Sequence, residues 1–213
     1  MNPDATAARR MRLILELRQL GMTDGRVLNA IERTDRALFA PPHLEALAWD
    51  DVALPIARGQ AMTKPTLIAQ LALDLQVRQD HRVLEIGTGS GFQTAVLARL
   101  AARVTSLERF RLLSDEARDR IVDSNLPNAS VHWADGADGW KPNAPYDRVI
   151  VNAGAPDFLP VVLDQMAPEA ILIAPIGEGE QRLKRVRKDR DGRFTVEELG
   201  PARFADLLDG IDD

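Results

Sequence analysis

Apolar residues first recur at helical spacing along this chain. Met11, Ile14, Leu15 and Leu20 form one such set, Val27, Leu28 and Ile31 a second, and Leu67, Ile68, Leu71 and Leu75 a third. Gly21 reads as the stop of the first helix, Asp24 as the N-cap of the second, and Pro65 as the first-turn residue of the third. Pro41-Pro42 breaks the pattern, and residues 43–62 read as irregular. From residue 82 the texture changes to short apolar runs separated by glycine turns and helical stripes. Strands are predicted over 82–86, 103–107, 130–133, 147–152 and 170–176. The helices between them are marked by Ala95, Val96, Leu97 and Leu100, by Leu112, Leu113, Ala117 and Ile121, and by residues 159–166. Such alternation predicts an α/β fold with a doubly wound, mostly parallel sheet. Residues 181–189 and 193–199 flank Asp191-Gly192, so an antiparallel hairpin completes seven strands.

With 213 residues, the chain reads as a single domain over 1–213, its helical segment over 1–80 and its strand-rich core over 81–213. Hydrophobic residues at 45% and charged residues at 28% are globular values and exclude disordered or fibrous classes. The absence of cysteine removes disulfides, thiolate metal sites and cysteine nucleophiles, and no His-acid cluster suggests another metal site. A net charge of −5 argues against broad attraction to nucleic acid or an anionic membrane. The basic run at 182–188 therefore reads as a solvated edge strand. The start, Met1-Asn2-Pro3-Asp4-Ala5-Thr6, is polar, and the densest apolar run, at 170–176, is too short to span a bilayer. A cytoplasmic protein is expected.

The chemistry concentrates after the first core strand, in Glu85-Ile86-Gly87-Thr88-Gly89-Ser90-Gly91-Phe92. Alternate glycines let the backbone turn tightly and approach a ligand. A dinucleotide fingerprint would need glycine where Phe92 stands, and a phosphate loop would need a Gly-Lys-Ser/Thr run that is absent. Instead, Glu85 precedes the first glycine by two residues. A carboxylate there repels a pyrophosphate and suits a ligand with an amine and a sulfonium, which is S-adenosylmethionine. Glu108, at the end of the next strand, is placed to accept ribose hydroxyls. Asp135-Gly136, after the third strand, is placed to face the adenine amine. The expected cofactor residues are thus Glu85, Gly87, Thr88, Gly89, Ser90, Glu108, Asp135 and Gly136.

Further segments carry a narrower resemblance. Asp50-Asp51-Val52-Ala53-Leu54-Pro55-Ile56, Gly59-Gln60-Ala61-Met62-Thr63-Lys64-Pro65 and Asp135-Gly136 with Gly139-Trp140 resemble the protein-L-isoaspartate (D-aspartate) O-methyltransferases. Asn152-Ala153-Gly154-Ala155-Pro156 and Pro175-Ile176-Gly177-Glu178-Gly179-Glu180-Gln181 extend the likeness, which covers roughly residues 9–189. It implies a class I S-adenosylmethionine-dependent fold and isoaspartyl peptides or proteins as partners. It also implies that Thr63 stands where the family has its active-site serine, in Met62-Thr63-Lys64-Pro65 rather than Ile-Ser-Gln-Pro. Asn152 and Gly154 replace the commoner Thr and Ala. Phe204-Ala205-Asp206-Leu207 replaces a Phe-Val-Pro-Leu-like run, and the resemblance implies that residues 203–208, with residue 63, lie near the acceptor.

On this reading the acceptor carboxylate is already ionised at neutral pH and needs no general base. Positioning and desolvation carry the acceleration, and the Thr63 hydroxyl orients one carboxylate oxygen. By residue pattern alone, Thr63 reads as the N-cap of the helix beginning at Pro65 before it reads as a catalytic group, and only the resemblance reverses that order. A methyltransferase for another carboxylate, a natural-product peptide or RNA, and a binding module without turnover, also remain compatible with the residues.

Overall fold

Strands buried on both faces require cover on both faces, and the chain supplies it with helices and short turns. The computed structural model describes residues 3–213; Met1 and Asn2 of the polar start lie outside the described residues. Three helices come first: α1 (Pro3–Gln19), α2 (Gly25–Arg33) and α3 (Pro65–Asp74). Between α2 and α3 the chain makes 3-10 turns and a small antiparallel pair, β1 (Leu54–Pro55) with β2 (Ala61–Met62). The core then follows as β3 (Arg82–Ile86), α4 (Phe92–Ala98), β4 (Arg103–Glu108), α5 (Arg111–Asp123) and β5 (Ala129–Trp133). It continues with β6 (Tyr146–Val151), α6 (Pro160–Asp164), β7 (Met166–Ile176), β8 (Gln181–Lys188) and β9 (Phe194–Ala202).

The seven core strands lie in the order β5-β4-β3-β6-β7-β8-β9. The first five run parallel, while β8 is antiparallel to both β7 and β9. The expected doubly wound sheet with a terminal hairpin is therefore the observed architecture. Successive strand residues point to opposite faces, so the core divides in two. Val83, Val104, Val131, Ile150 and Ile173 pack with apolar residues of α1 to α5. Leu84, Ile86, Leu107, Val149 and Leu172 pack on the other face with Val162 of α6. No described helix is long and apolar enough to cross a membrane.

Two local expectations change. Met11, Leu15 and Leu20 are exposed, and α1 instead buries Leu13, Ile14 and Leu17. The two stripes are adjacent on a helix, and the contact with α2 selects the second. The basic run on β8 is not at an edge, because β9 covers it. Its charges are met across the ladder: Arg185 pairs with Glu197 at 2.6 Å and Arg182 with Glu198 at 3.6 Å. Asp24 does cap α2, accepting from the Arg26 amide at 2.8 Å.

An interior strand and the β9 edge should respond differently to truncation. Ile173→Ala, in a fully buried position, should cost about 2–5 kcal/mol in urea unfolding. Val196→Ala, exposed on β9, should stay within about 0.5 kcal/mol. Equal losses would contradict this assignment of core and surface.

Candidate functional site

The sheet order reverses between β3 and β6, and parallel sheets open a crevice at the C-terminal strand ends there. A cavity of about 700 Å³ occupies this position. Its floor is the glycine loop after β3, from Gly87 to Ser90, flanked by Ile86, Leu107 and Glu108. Gly136 and Asn152 close one side. Met62, Thr63 and Lys64 from the irregular first third form another, and residues 203–208 of the tail form the last.

Glycine is required at two points. Gly87 has φ +90°, and a Cβ there would also lie 3.2 Å from Asn152 Cβ. At Gly136 a Cβ would fall 2.3 Å from Ile86 Cγ2, so a side chain cannot fit unless Ile86 moves. Thr88 and Ser90 line the cavity, but their hydroxyls are engaged inside the protein. Thr88 Oγ1 lies 2.5 Å from Ser106 Oγ, and Ser90 Oγ accepts from the Phe92 amide at 3.3 Å.

Glu85 does not face the cavity as the sequence suggested. It is fully buried beneath the loop. Its Oε2 accepts hydrogen bonds from Thr94 and from Ser106, the latter at 2.7 Å, and its Oε1 accepts from Asn152 Nδ2 at 3.3 Å. Burial raises its pKa to about 7, against the pull of these three donors. The Asn152 amide also donates to the Gly87 carbonyl at 3.0 Å and accepts from Gln93 at 3.3 Å. Asn152, rather than Glu85, presents this network to the cavity. The reason is register: alternation along β3 turns Glu85 to the α4 side of the sheet, below the turn that follows.

Glu108 does line the cavity. Its oxygens accept from the Gly89 amide at 2.8 Å and the Phe110 amide at 3.0 Å, so it also holds the loop's shape. Desolvation raises its pKa from the usual carboxylate value, while these amide donors oppose the rise. A carboxylate oxygen has more than one acceptor direction, so hydroxyl donors can still approach it.

Asp135 is absent from the cavity wall. Its Oδ1 accepts from the Ala137 amide at 2.9 Å and its Oδ2 from the Gly210 amide at 2.6 Å. It thereby anchors the tail, which the sequence did not anticipate beyond residue 208. The tail pairs with Gly154 through Ala205 and Leu207, at 2.8 and 2.7 Å, and with Arg109 and Arg111 through Asp212, at 2.8 and 2.9 Å. Gln181 fixes the start of the same segment through the Phe204 amide at 2.8 Å.

Thr63 is half-buried on the cavity wall, and Lys64, not Thr63, is the N-cap of α3. The capping oxygens come from Asp51, which accepts from the Thr66 amide at 2.8 Å and the Thr66 hydroxyl at 2.7 Å. This removes the capping explanation for Thr63. Its carbonyl is held by Arg36 at 3.3 Å. Neither Arg36 nor Asn152 was singled out for chemistry from sequence. An arginine beside an apolar helix gives no sign that it will be buried, and Asn152 was visible only as a departure from a family pattern.

Comparison with known proteins follows the same outline. A family model described as Protein-L-isoaspartate(D-aspartate) O-methyltransferase matches residues 8–212. A protein-L-isoaspartate O-methyltransferase of Caulobacter sp. is 44% identical over 200 residues, covering 93% of this chain and 92% of its own. One from Paramagnetospirillum magneticum is 42% identical over 205 residues, covering 94% and 95%. Among solved structures, a protein-L-isoaspartate O-methyltransferase superposes with a TM-score of 0.86 at 22% identity, covering 95% of this chain and 67% of its own. A Plasmodium falciparum protein of the same description, in complex with S-adenosyl-L-homocysteine, superposes with a TM-score of 0.81 at 21% identity, covering 92% and 97%. At that identity the two structures speak to the fold.

The buried acid should show in the pH dependence of stability. Glu85 has a folded pKa of about 7 against an ordinary value of 4.5, so between those values the folded chain binds more protons than the unfolded one. Its contribution is fully present below about pH 4.5 and is lost as pH rises through about 7. Melting curves of wild type and Glu85→Gln should therefore diverge with rising pH across this window, wild type losing ground. Parallel curves would refute the assignment.

Proposed function

The chain belongs to the protein-L-isoaspartate(D-aspartate) O-methyltransferase family, and on that premise we propose its activity. It moves a methyl group from S-adenosylmethionine to the free carboxylate of L-isoaspartyl or D-aspartyl residues in damaged proteins. The observation that carries this is one cavity shared by the glycine loop, Glu108 and Thr63. The cavity also fits the donor in kind: a backbone loop open to close approach, an acid for hydroxyls, and apolar walls from Ile86, Leu107 and Phe110.

When bound, S-adenosylmethionine supplies an electrophilic methyl on a sulfonium. The residues of this chain supply position. Gly87 and Gly89 admit the ligand to the backbone, Glu108 receives ribose hydroxyls, and Gly136 leaves room on the adenine side. Asp135 serves this side indirectly, by holding the tail against it. Glu85 acts through Asn152, whose amide is fixed at the cavity wall. Residues 1–80 provide most of the acceptor side and 81–213 most of the cofactor side. Thr63 donates a hydrogen bond to the acceptor carboxylate and turns its other oxygen toward the methyl. No base is required, since the acceptor is already an anion. The methyl ester carbonyl is a better electrophile than a carboxylate, so the following backbone nitrogen attacks it, loses its proton and expels methanol as the succinimide closes. Water opens that ring partly to normal aspartate.

Methanol release from an isoaspartyl peptide beside its aspartyl twin tests the reading; equal release from both, or none from either, rejects it. Within it, Thr63→Ser should retain turnover. Thr63→Ala should lose about tenfold to a hundredfold in turnover, since a hydrogen bond to a charged group is worth about 1.5–3 kcal/mol. Affinity for S-adenosylhomocysteine should stay nearly unchanged, and an unaltered turnover number would remove Thr63 from the mechanism.

A further inference from the structure

Arg36 is a fully buried arginine, and its guanidinium serves backbone carbonyls rather than a carboxylate. Nη1 donates to Ala48 O at 2.8 Å and Asp50 O at 3.1 Å. Nη2 donates to Val52 O at 2.8 Å and Thr63 O at 3.3 Å. The guanidinium carbon lies 5.6 Å from the centre of the Phe92 ring. Phe92 opens α4 immediately after the glycine loop and lines the cavity.

We propose that Arg36 is a positioning residue for methyl transfer, clamping the strip that bears Thr63 in register with the first turn of α4. This rests on the role of Thr63 proposed above. The geometry argues for it in three ways. First, the three carbonyls at residues 48, 50 and 52 belong to a stretch with no helix or long strand to pair them, so Arg36 stands in for a ladder. Second, the strip is gripped from both sides: Arg36 takes the carbonyl of Thr63, and Asp51, from the same 48–52 stretch, takes the amide and hydroxyl of Thr66. Thr63 is thus one of two fixed points three residues apart. Third, the guanidinium also meets Phe92, so one group touches both the acceptor wall and the cofactor wall.

A planar fork can direct donors to four carbonyls at once, whereas an ammonium concentrates three donors at one point. Burial lowers the pKa of Arg36 to about 10, with Asp51 and Asp50 opposing the fall, and the group stays cationic at neutral pH.

Arg36→Lys and Arg36→Gln provide the test, beside Val162→Ala in α6 as a destabilised control remote from the clamp. All are assayed well below their melting temperatures. For any folded Arg36 variant, S-adenosylhomocysteine affinity by calorimetry should stay within about threefold of wild type. The turnover number on an isoaspartyl peptide should fall about tenfold or more at saturating donor, with a smaller change in KM. Amide hydrogen exchange should quicken at residues 48–53 and 62–64 and stay unchanged at 87–91. Val162→Ala should keep wild-type turnover and exchange at those segments. Loss of activity in step with melting temperature in all variants would overturn the proposal, as would unaltered turnover in Arg36→Lys. Failure of both Arg36 variants to fold would assign the residue to folding alone and reject the positioning role. If wild type itself methylates no isoaspartyl peptide, the functional reading falls, and the exchange pattern alone then judges the clamp.

Discussion

A carboxylate with no access to water must be surrounded by donors, and at Glu85 that requirement draws four segments together. Thr94 comes from α4, Ser106 from β4, Asn152 from the turn after β6, and Glu85 itself from β3. Each brings one donor because an unpaired buried acid would cost far more than these side chains lose in freedom. The strand order opens the crevice, and satisfying this one buried group ties together the segments around it. Move α4 or the turn after β6, and Glu85 loses a partner. The same constraint reaches the cavity surface, since the Asn152 amide that serves Glu85 also fixes the carbonyl of Gly87.

The two sides of the cavity are built by different means. On the glycine-loop side, parallel strands set the positions and short loops inherit them, with Glu108 drawing the Gly89 and Phe110 amides onto one carboxylate. On the Thr63 side, the stretch between α2 and α3 has a two-residue β pair and a set of turns. Charged side chains bonded to backbone, Arg36 and Asp51, do there what a sheet does elsewhere. Precision without regular structure needs such groups, because loops otherwise have too few bonds to hold a hydroxyl in place.

The core strands, the glycine turn and the Asp191-Gly192 hairpin were legible because each depends on local chemistry: apolar runs, backbone freedom and turn preference. Cavity-lining positions such as Gly87, Glu108 and Gly136 followed from strand ends in a doubly wound sheet. The direction in which Glu85 and Asp135 point was not legible, because it depends on β3 register and on a tail 75 residues away in sequence. Nor was the buried face of α1, where two neighbouring stripes were both apolar enough and only the partner helix chose between them. The interior placement of β8 shows the same limit: a row of cations reads as an edge until the glutamates of β9 are seen beside it.

The tail is both a wall of the cavity and a band tied to Gly154, Asp135, Arg109 and Arg111. Its residues 203–208 would touch whatever fills the cavity, so occupancy and tail order share a single free energy. By linkage, a ligand that settles the tail binds more tightly for doing so, and a tail that loosens weakens the ligand by the same factor. Affinity for whatever fills the cavity then depends on the last eleven residues as well as on the glycine loop.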